Sequence, residues 1–215
     1  MRSSLFIVSI ILTAGLLVGP AKSEVAAQNR AGIGDVVSRV RAFDHLTEPR
    51  IDVPAGDQEN GTMRQLCPED FDTCQKYWPY TANFVDNYTI PLRDKELLIL
   101  RTAWLSRGDY VWGRHNLTGL GAGLTEEEIR RITTGPDAVE WSAEDRMLLR
   151  VADQLHSSRF IADEIWIPLA TRYSQTQLVE IVLIVGNYTQ LIMFQNALGA
   201  QLPQHITGLP TAGEQ

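Results

Sequence analysis

The sequence has little basic charge, because 19 lysine and arginine residues stand against 26 aspartate and glutamate residues, for a formal net charge of -7. Nucleic acids and anionic membrane surfaces attract basic faces, so this balance argues against both as partners. The chain also lacks internal repeats, low-complexity tracts and any segment in which apolar and polar residues alternate with the period of a strand. An all-α globular domain is therefore the predicted fold class.

Cysteine is scarce, with Cys67 and Cys74 in "CPEDFDTC" as the only two in the chain. In an oxidising compartment, two cysteines seven residues apart most simply form a disulfide that closes a short loop. A redox-active pair is less favoured, because reactive low-pKa thiolates typically belong to a C-x-x-C at a helix start. A zinc site is the least favoured interpretation of the two cysteines, because no second pair of ligands lies nearby in the sequence. No metal site is therefore predicted.

The first 23 residues have the pattern of a secretory signal peptide. Arg2 precedes an apolar run from Leu5 to Val18, and the small residues Ala21 and Ser23 suit cleavage before residue 24. An uncleaved membrane anchor is the alternative, although the run is shorter than a typical span. We therefore expect a secreted or periplasmic protein that has no membrane contact after cleavage.

The remaining chain divides into an N-terminal arm, a helical domain and a short tail. Residues 24–62 are predicted to be a partly irregular arm in which "IGDVVSRVRAF" forms a short helix, since "TEPRIDVPAGDQENG" is rich in turn residues. Residues 63–203 are predicted to form the helical domain, and residues 204–215 the tail. Helices are expected at 92–107, 109–123 and 161–172, with further helices opened by caps at Thr125, Ser142 and Ser174.

The helix opened by Ser174 contains an apolar run from Leu178 to Phe194. Glu180, Asn187 and Gln190 interrupt this run, which indicates a helix buried in a soluble bundle or oligomer rather than a membrane span. A small domain has difficulty covering so much apolar surface, and contact between identical copies is a simple way to bury it. We therefore predict a homo-oligomer.

Four stretches carry a resemblance to a known family: "LRDKELLILRTAW", "DYVWGRHNLTGLGAGLTEEEI", "GPDAVEWSAEDRMLLRVADQLHSS" and "QLVEIVLIVGNYTQLIMFQNALGAQL". In this order and spacing they resemble the carboxymuconolactone decarboxylase family, which includes the alkylhydroperoxidase-D-like proteins. The resemblance implies an all-α bundle with a central antiparallel helical hairpin. It also implies assembly as trimers or hexamers, with active sites near subunit contacts.

The same resemblance singles out His115 and Glu96 as candidate catalytic residues. The peroxidase branch has a Glu on the first hairpin helix, a C-x-x-C on the second and a His four residues after the second Cys. Counting back from His115 places Gly108 and Val111 at the two thiol positions, so peroxide reduction through that motif is excluded. One subgroup of the family usually reads "EYEWxxH" where this chain reads "DYVWGRH", so Val111 also replaces an acid of that pattern.

Five further residues are candidates for substrate binding, and each also has a structural interpretation. Arginines would attract an anionic substrate, a tryptophan could form an apolar wall, and buried polar groups need partners. The structural alternatives are a helix N-terminal acid, exposed arginines and a packed tryptophan. The five candidates are Asp109, Trp112, Arg101, Arg114 and Asn187.

A histidine and a carboxylate are sufficient to move protons at carbon. We therefore predict a lyase or isomerase of the carboxymuconolactone decarboxylase type, acting without metal or organic cofactor on a small organic substrate such as a carboxylated cyclic compound. The first alternative is a peroxidase that uses Cys67 and Cys74. The second is a non-catalytic helical oligomer that binds a small ligand, in which His115 is simply a packed core histidine.

Overall fold

The computed structural model describes residues 45–51, 63–68 and 70–210. The predicted signal peptide, the short helix at 33–43, most of the arm and the last five residues of the tail lie outside these ranges. Within them every regular element is a helix, which confirms the all-α prediction. The elements are α1 (Met63–Leu66), α2 (Asp72–Asp86), α3 (Leu92–Leu105), α4 (Asp109–Gly121), α5 (Glu126–Thr134), α6 (Ala143–Ser158), α7 (Asp163–Arg172) and α8 (Gln175–Leu198).

Side-chain caps determine where three of these helices begin. Thr125 and Glu128 form the predicted capping box at the start of α5, and Ser174 and Gln177 form another at the start of α8. The side-chain oxygen of Ser142 caps α6. Each cap satisfies backbone N–H groups that a helix start leaves without partners, so the local sequence fixes these boundaries.

Helix α3 forms the centre of the domain. Every residue from Asp94 to Ala103 is buried, and α4, α5, α6 and α8 pack around the helix. Because burial surrounds α3, its polar side chains need partners inside the protein. The hydroxyl of Tyr173 donates to the Asp94 carboxylate at 2.7 Å, and the Arg101 guanidinium pairs with Asp153 at 2.6 Å.

Helices α3 and α4 form the predicted antiparallel hairpin. Only residues 106–108 connect them, and the backbone N–H of Gly108 donates to the carbonyl of Ala103 across this turn. A connection this short returns the chain alongside itself. As a result, the middle of α4 faces the middle of α3.

Helix α8 has one buried face and one exposed face. It is the one helix in the described residues that is long and apolar enough to cross a membrane, yet residues such as Ile181, Ile184 and Ile192 are packed in the core. The helix ends at Gly199, whose backbone is left-handed with φ 78°. A β-carbon at residue 199 would lie 2.5 Å from the carbonyl oxygen of Glu48, so both the conformation and the packing require glycine there.

Residues 203–210, which include most of the predicted tail, lie along α4. The Asp109 carboxylate accepts the backbone N–H of Leu209 at 2.8 Å. A β-carbon at Gly113 would lie 2.7 Å from the Ile206 side chain, so this glycine allows the segment to approach the helix. This contact gives Asp109 a structural role in the fold.

Candidate active site

The hairpin brings Glu96 and His115 into direct contact. Nδ1 of His115 lies 2.7 Å from Oε2 of Glu96, within hydrogen-bond distance. The Glu96 side chain is 0% exposed, whereas the His115 side chain retains 17% of its accessible surface. The pair therefore combines a fully buried carboxylate with an imidazole that solvent or a ligand can reach.

A buried lysine adjoins the same carboxylate. Nζ of Lys95 lies 3.7 Å from Oε1 of Glu96, the carboxylate oxygen that has no hydrogen-bond partner in the described part of the chain. The ammonium also lies 3.6 Å from the centre of the Tyr88 ring, a cation–π distance. The Glu96 carboxylate is thus flanked by an imidazole on one oxygen and an ammonium near the other.

Tyr188 of α8 lies against the imidazole. Its ring is perpendicular to that of His115, with 4.9 Å between the ring centres. Burial raises the pKa of the Tyr188 phenol well above its usual range, and the negative charge of Glu96 adds to this effect. The phenol therefore stays neutral at physiological pH and is available as a hydrogen-bond donor but not as a base.

The sequence did not single out Lys95 as a site residue, and it indicated Tyr188 only as a buried polar side chain that needs a partner. The available signal was a lysine and a tyrosine within predicted core helices, where a polar group needs a partner. The neighbouring candidate, Asn187, is buried on α8, and its side-chain oxygen has no hydrogen-bond partner among the described residues. This unpartnered amide oxygen is available to accept a hydrogen bond from a ligand.

The two candidate arginines make their contacts away from the Glu96–His115 pair. Arg101 pairs with Asp153 and donates to the backbone oxygen of Ile132 at 2.6 Å. It follows Glu96 by five residues, which places it about 140° around the helix. Arg114 is exposed, with its guanidinium 5.9 Å from the centre of the Tyr110 ring.

The remaining candidates on α4 take part in packing. Trp112 is buried beside Trp104, with 5.9 Å between the ring centres. It also lines a cavity of about 400 Å³ between α4, α5 and the C-terminal segment, to which Asn116 contributes but His115 does not. Asp109 is engaged with the same segment, as described above. These contacts favour the structural interpretation of both residues.

The positions that hold two thiols in the peroxidase branch are closed in this protein. Gly108 is the residue before α4, and a β-carbon there would lie 2.6 Å from the Ile192 side chain. Val111 is buried in the first turn of α4. Both positions are therefore filled by aliphatic packing and contain no nucleophile.

Cys67 and Cys74 form the predicted disulfide. The bond links the end of α1 to the first turn of α2, and both half-cystines are buried. The indole N–H of Trp78 donates to the backbone oxygen of Cys67 at 2.8 Å, which fixes the same turn. In this oxidised and buried state the sulfurs stabilise a loop and are not available as thiolates.

Among the described residues, no group of three or more His, Cys, Asp or Glu side chains has an arrangement that could hold a metal ion. The Glu96–His115 pair and its neighbours Lys95 and Tyr188 form the candidate site. Imidazole, carboxylate, ammonium and phenol are all groups that can take part in proton transfer.

Comparison with known proteins supports the same part of the chain. Residues 75–154, which include both Glu96 and His115, match the model of the carboxymuconolactone decarboxylase family. No curated protein shows significant sequence similarity to the chain.

Three solved structures share the fold. A protein of unknown function from Agrobacterium tumefaciens, described as a candidate antioxidant defence protein AhpD, has a TM-score of 0.56 and 16% identity over 61% of this chain and 91% of its own. An uncharacterised peroxidase-related protein from Silicibacter sp. TM1040 has a TM-score of 0.61 and 9% identity over 80% and 97%. A debrominase in complex with 2,3,4-tribromopyrrole has a TM-score of 0.52 and 12% identity over 88% and 92%.

At these identities the structural likeness concerns the fold alone. The family model, in contrast, matches the sequence across α2 to α6 and spans the hairpin that carries the candidate site. Over residues 75–154, the chain is similar to the carboxymuconolactone decarboxylase family.

Proposed function

We propose that the protein is a cofactor-independent lyase or isomerase that moves protons at carbon, with His115 as the general acid and base. The observation that carries this proposal is the 2.7 Å contact between the buried Glu96 carboxylate and a partly exposed imidazole. A candidate acid or base needs a partner that orients it and a face that a substrate can reach. Glu96 supplies the first requirement, and the exposed part of the His115 ring supplies the second.

The contact assigns a role to each ring nitrogen. If Nδ1 carries a proton and donates it to Glu96, the other nitrogen, Nε2, is left to accept a proton from a substrate. The carboxylate then stabilises the imidazolium that forms, as a buried acid does in other histidine-based sites. Glu96 acts here as an orienting residue, because it is fully buried and contacts the substrate only through His115.

In the decarboxylation of a small cyclic β,γ-unsaturated acid, His115 would act only as a proton donor. The bond between the ring carbon and the carboxylate breaks, carbon dioxide leaves, and the electron pair moves into the unsaturated carbon framework. The imidazolium of His115 then gives its proton to the carbon that bears the pair, and solvent restores that proton. Isomerisation uses the same group twice, because Nε2 takes a proton from one carbon and His115 returns it at another.

Carbon dioxide release from carboxymuconolactone is the first test. We expect wild-type protein to accelerate it, and His115→Gln and Glu96→Gln to slow turnover by about 100-fold or more, the usual contribution of a positioned acid or base. His205→Gln serves as the matched control, since this histidine is exposed on the C-terminal segment. Acceleration that survives in both site variants would refute the assignment.

We also infer that the protein is exported. The apolar N-terminal run with small residues before position 24 supports export, and so does the Cys67–Cys74 disulfide, because such bonds persist in oxidising compartments. The mature protein purified from its native source should begin at Glu24. An N-terminus that retains Met1, together with reduced cysteines, would contradict this inference.

Self-association through α8 is a further part of the proposal. Val179, Val182, Leu183 and Met193 are exposed, and their spacing places them within about 100° of the helix circumference. Such a stripe is larger than the isolated apolar residues expected on a surface. A second copy that presents the same stripe would bury it on both partners, which is the usual arrangement in a two-fold contact.

A further inference from the structure

Lys95 is an unusual residue at the centre of this domain. Its side chain is 4% exposed, and it lies on the central helix α3 beside the fully buried Glu96. Burying an ammonium requires strong compensation, and lysine is among the residues least often found inside proteins. A structural role alone would be served by an aliphatic residue of similar length, which would pack without that desolvation cost.

The surroundings of the Lys95 ammonium favour its charged form. The face of the Tyr88 ring lies 3.6 Å away, and Oε1 of Glu96 lies 3.7 Å away. The electron-rich face of an aromatic ring and a carboxylate both attract a cation. The Lys95 amino group thus lies between an aromatic ring face and the carboxylate that contacts His115.

We propose that Lys95 is a positioning residue that keeps Glu96 ionised and limits how strongly this carboxylate holds a proton on His115. The inference rests on the proposed function, because it assigns Lys95 a part in setting the acid–base behaviour of the same pair.

Three ionisable side chains meet at this point of the hairpin: Lys95, Glu96 and His115. Without Lys95, uptake of one more proton by the Glu96–His115 pair would be favoured. The proton would either neutralise the buried carboxylate or form an imidazolium that pairs with it. With Lys95 present, the carboxylate already has a counter-charge, and the additional proton is less favourable.

The other groups around His115 do not replace this charge. Tyr188, on α8, is neutral, and Arg114, on the same helix as His115, is exposed and lies over the Tyr110 ring. From α5, Glu126 and Arg130 line the cavity beside Trp112, which His115 does not line. Among the described residues, Lys95 is the cation that the structure places against the carboxylate partner of His115.

The test is a pH titration of the His115 ring by nitrogen NMR on the full protein, with His115→Gln used to assign the signal. In Lys95→Met we expect the Glu96–His115 pair to take up its proton about one pH unit higher than in wild type, as removal of a nearby buried charge predicts. Lys95→Arg, which retains the positive charge, should bring the midpoint most of the way back. A midpoint that is unchanged or lower in Lys95→Met would overturn the proposal.

A second variant guards against loss of folding in Lys95→Met. Lys95→Gln removes the positive charge but keeps a polar side chain beside Oε1 of Glu96, and should shift the midpoint in the same direction as Lys95→Met. A purely structural lysine would lower stability in these variants but leave the midpoint unchanged.

The measurement needs no substrate, so it separates this inference from the proposed function. A shifted midpoint in a protein without lyase or isomerase activity would support the role of Lys95 and reject the proposed reaction. An active enzyme with an unshifted midpoint would do the reverse.

Discussion

The side chain of Ile192 fills the space beside Gly108, so that a β-carbon at residue 108 would lie 2.6 Å from its Cγ1 atom. Gly108 occupies the first of the two thiol positions of the peroxidase branch, and Ile192 belongs to α8, which also carries Tyr188. A glycine at residue 108 thus allows α8 to pack directly against the start of α4. The Glu96–His115 contact lies on the same hairpin.

Gly108→Ala should destabilise the protein by about 1–3 kcal/mol, because an added methyl group overpacks this contact. The backbone φ of −88° is open to any residue, so the cost arises from Ile192 and not from strain in the chain. Denaturant unfolding of the wild type and the variant measures this difference.

The matched control is the same change in an Ile192→Ala background. There the added methyl group has room, and Gly108→Ala should cost little or even stabilise by filling the cavity. Equal costs in the two backgrounds would show that the Gly108–Ile192 contact is not the cause.

Removal of the disulfide should affect stability but not proton chemistry. The Cys67→Ser and Cys74→Ser double variant should lose about 2 kcal/mol, the magnitude expected when a short cross-linked loop is opened. Its rate of carbon dioxide release should match that of the wild type below the unfolding transition. Peroxide consumption by the wild type that disappears in this variant would instead support the peroxidase alternative.

Glu128 should make stability depend on pH in the acid range. Burial acts to raise its pKa, but the backbone hydrogen bond from Thr125 and the charge of Arg93 outweigh this and hold the pKa below the usual 4.5. The folded state therefore binds fewer protons than the unfolded state. The resulting stabilisation is present above pH 4.5 and is lost as the pH falls through the lower folded value.

Glu128→Gln should accordingly lower the melting temperature at pH 7, with a cost of about 1 kcal/mol from the weakened cap. The difference from wild type should shrink near pH 3. Glu127→Gln is the control on the same helix, because its pair with Arg131 is exposed and should contribute little. A difference that stays constant from pH 7 to pH 3 would contradict the assigned role of the Glu128 carboxylate.

The exposed apolar stripe of α8 should determine the oligomeric state of the protein in solution. Val182→Glu and Met193→Glu place charges within the apolar stripe and should shift an oligomer towards the monomer in light-scattering measurements. Trp166→Glu, at an exposed position on α7, controls for the loss of an apolar residue elsewhere on the surface. A monomeric wild type would refute self-association outright.

The sequence was sufficient to predict the helical architecture, because the decisive signals are local. The capping residues at Thr125, Ser142 and Ser174 mark helix starts, and the structure confirms all three. The predicted ends were less accurate, and α3 stops at Leu105 rather than at 107. Helix ends depend on the tertiary contacts of the following turn, which local sequence does not specify.

The candidate site was predictable only in part. Residues 96 and 115 could be paired because the family pattern gave their register across the hairpin, and the structure places them 2.7 Å apart. Tyr188 reaches the site from α8, which lies far along the chain, so its contact depends on how the helices pack. In the sequence Lys95 looks like an ordinary helix lysine, and the role we propose for it depends on the burial of α3, which only the structure shows.

The central claim is tested most directly by a double-mutant cycle on carbon dioxide release from carboxymuconolactone, using wild type, Glu96→Gln, His115→Gln and the double variant. If the two side chains act as one unit, each single change should lower the rate about 100-fold or more, and the double variant should be no slower than the slower single variant. Full activity in either single variant, or losses that multiply in the double variant, would contradict a shared role for Glu96 and His115.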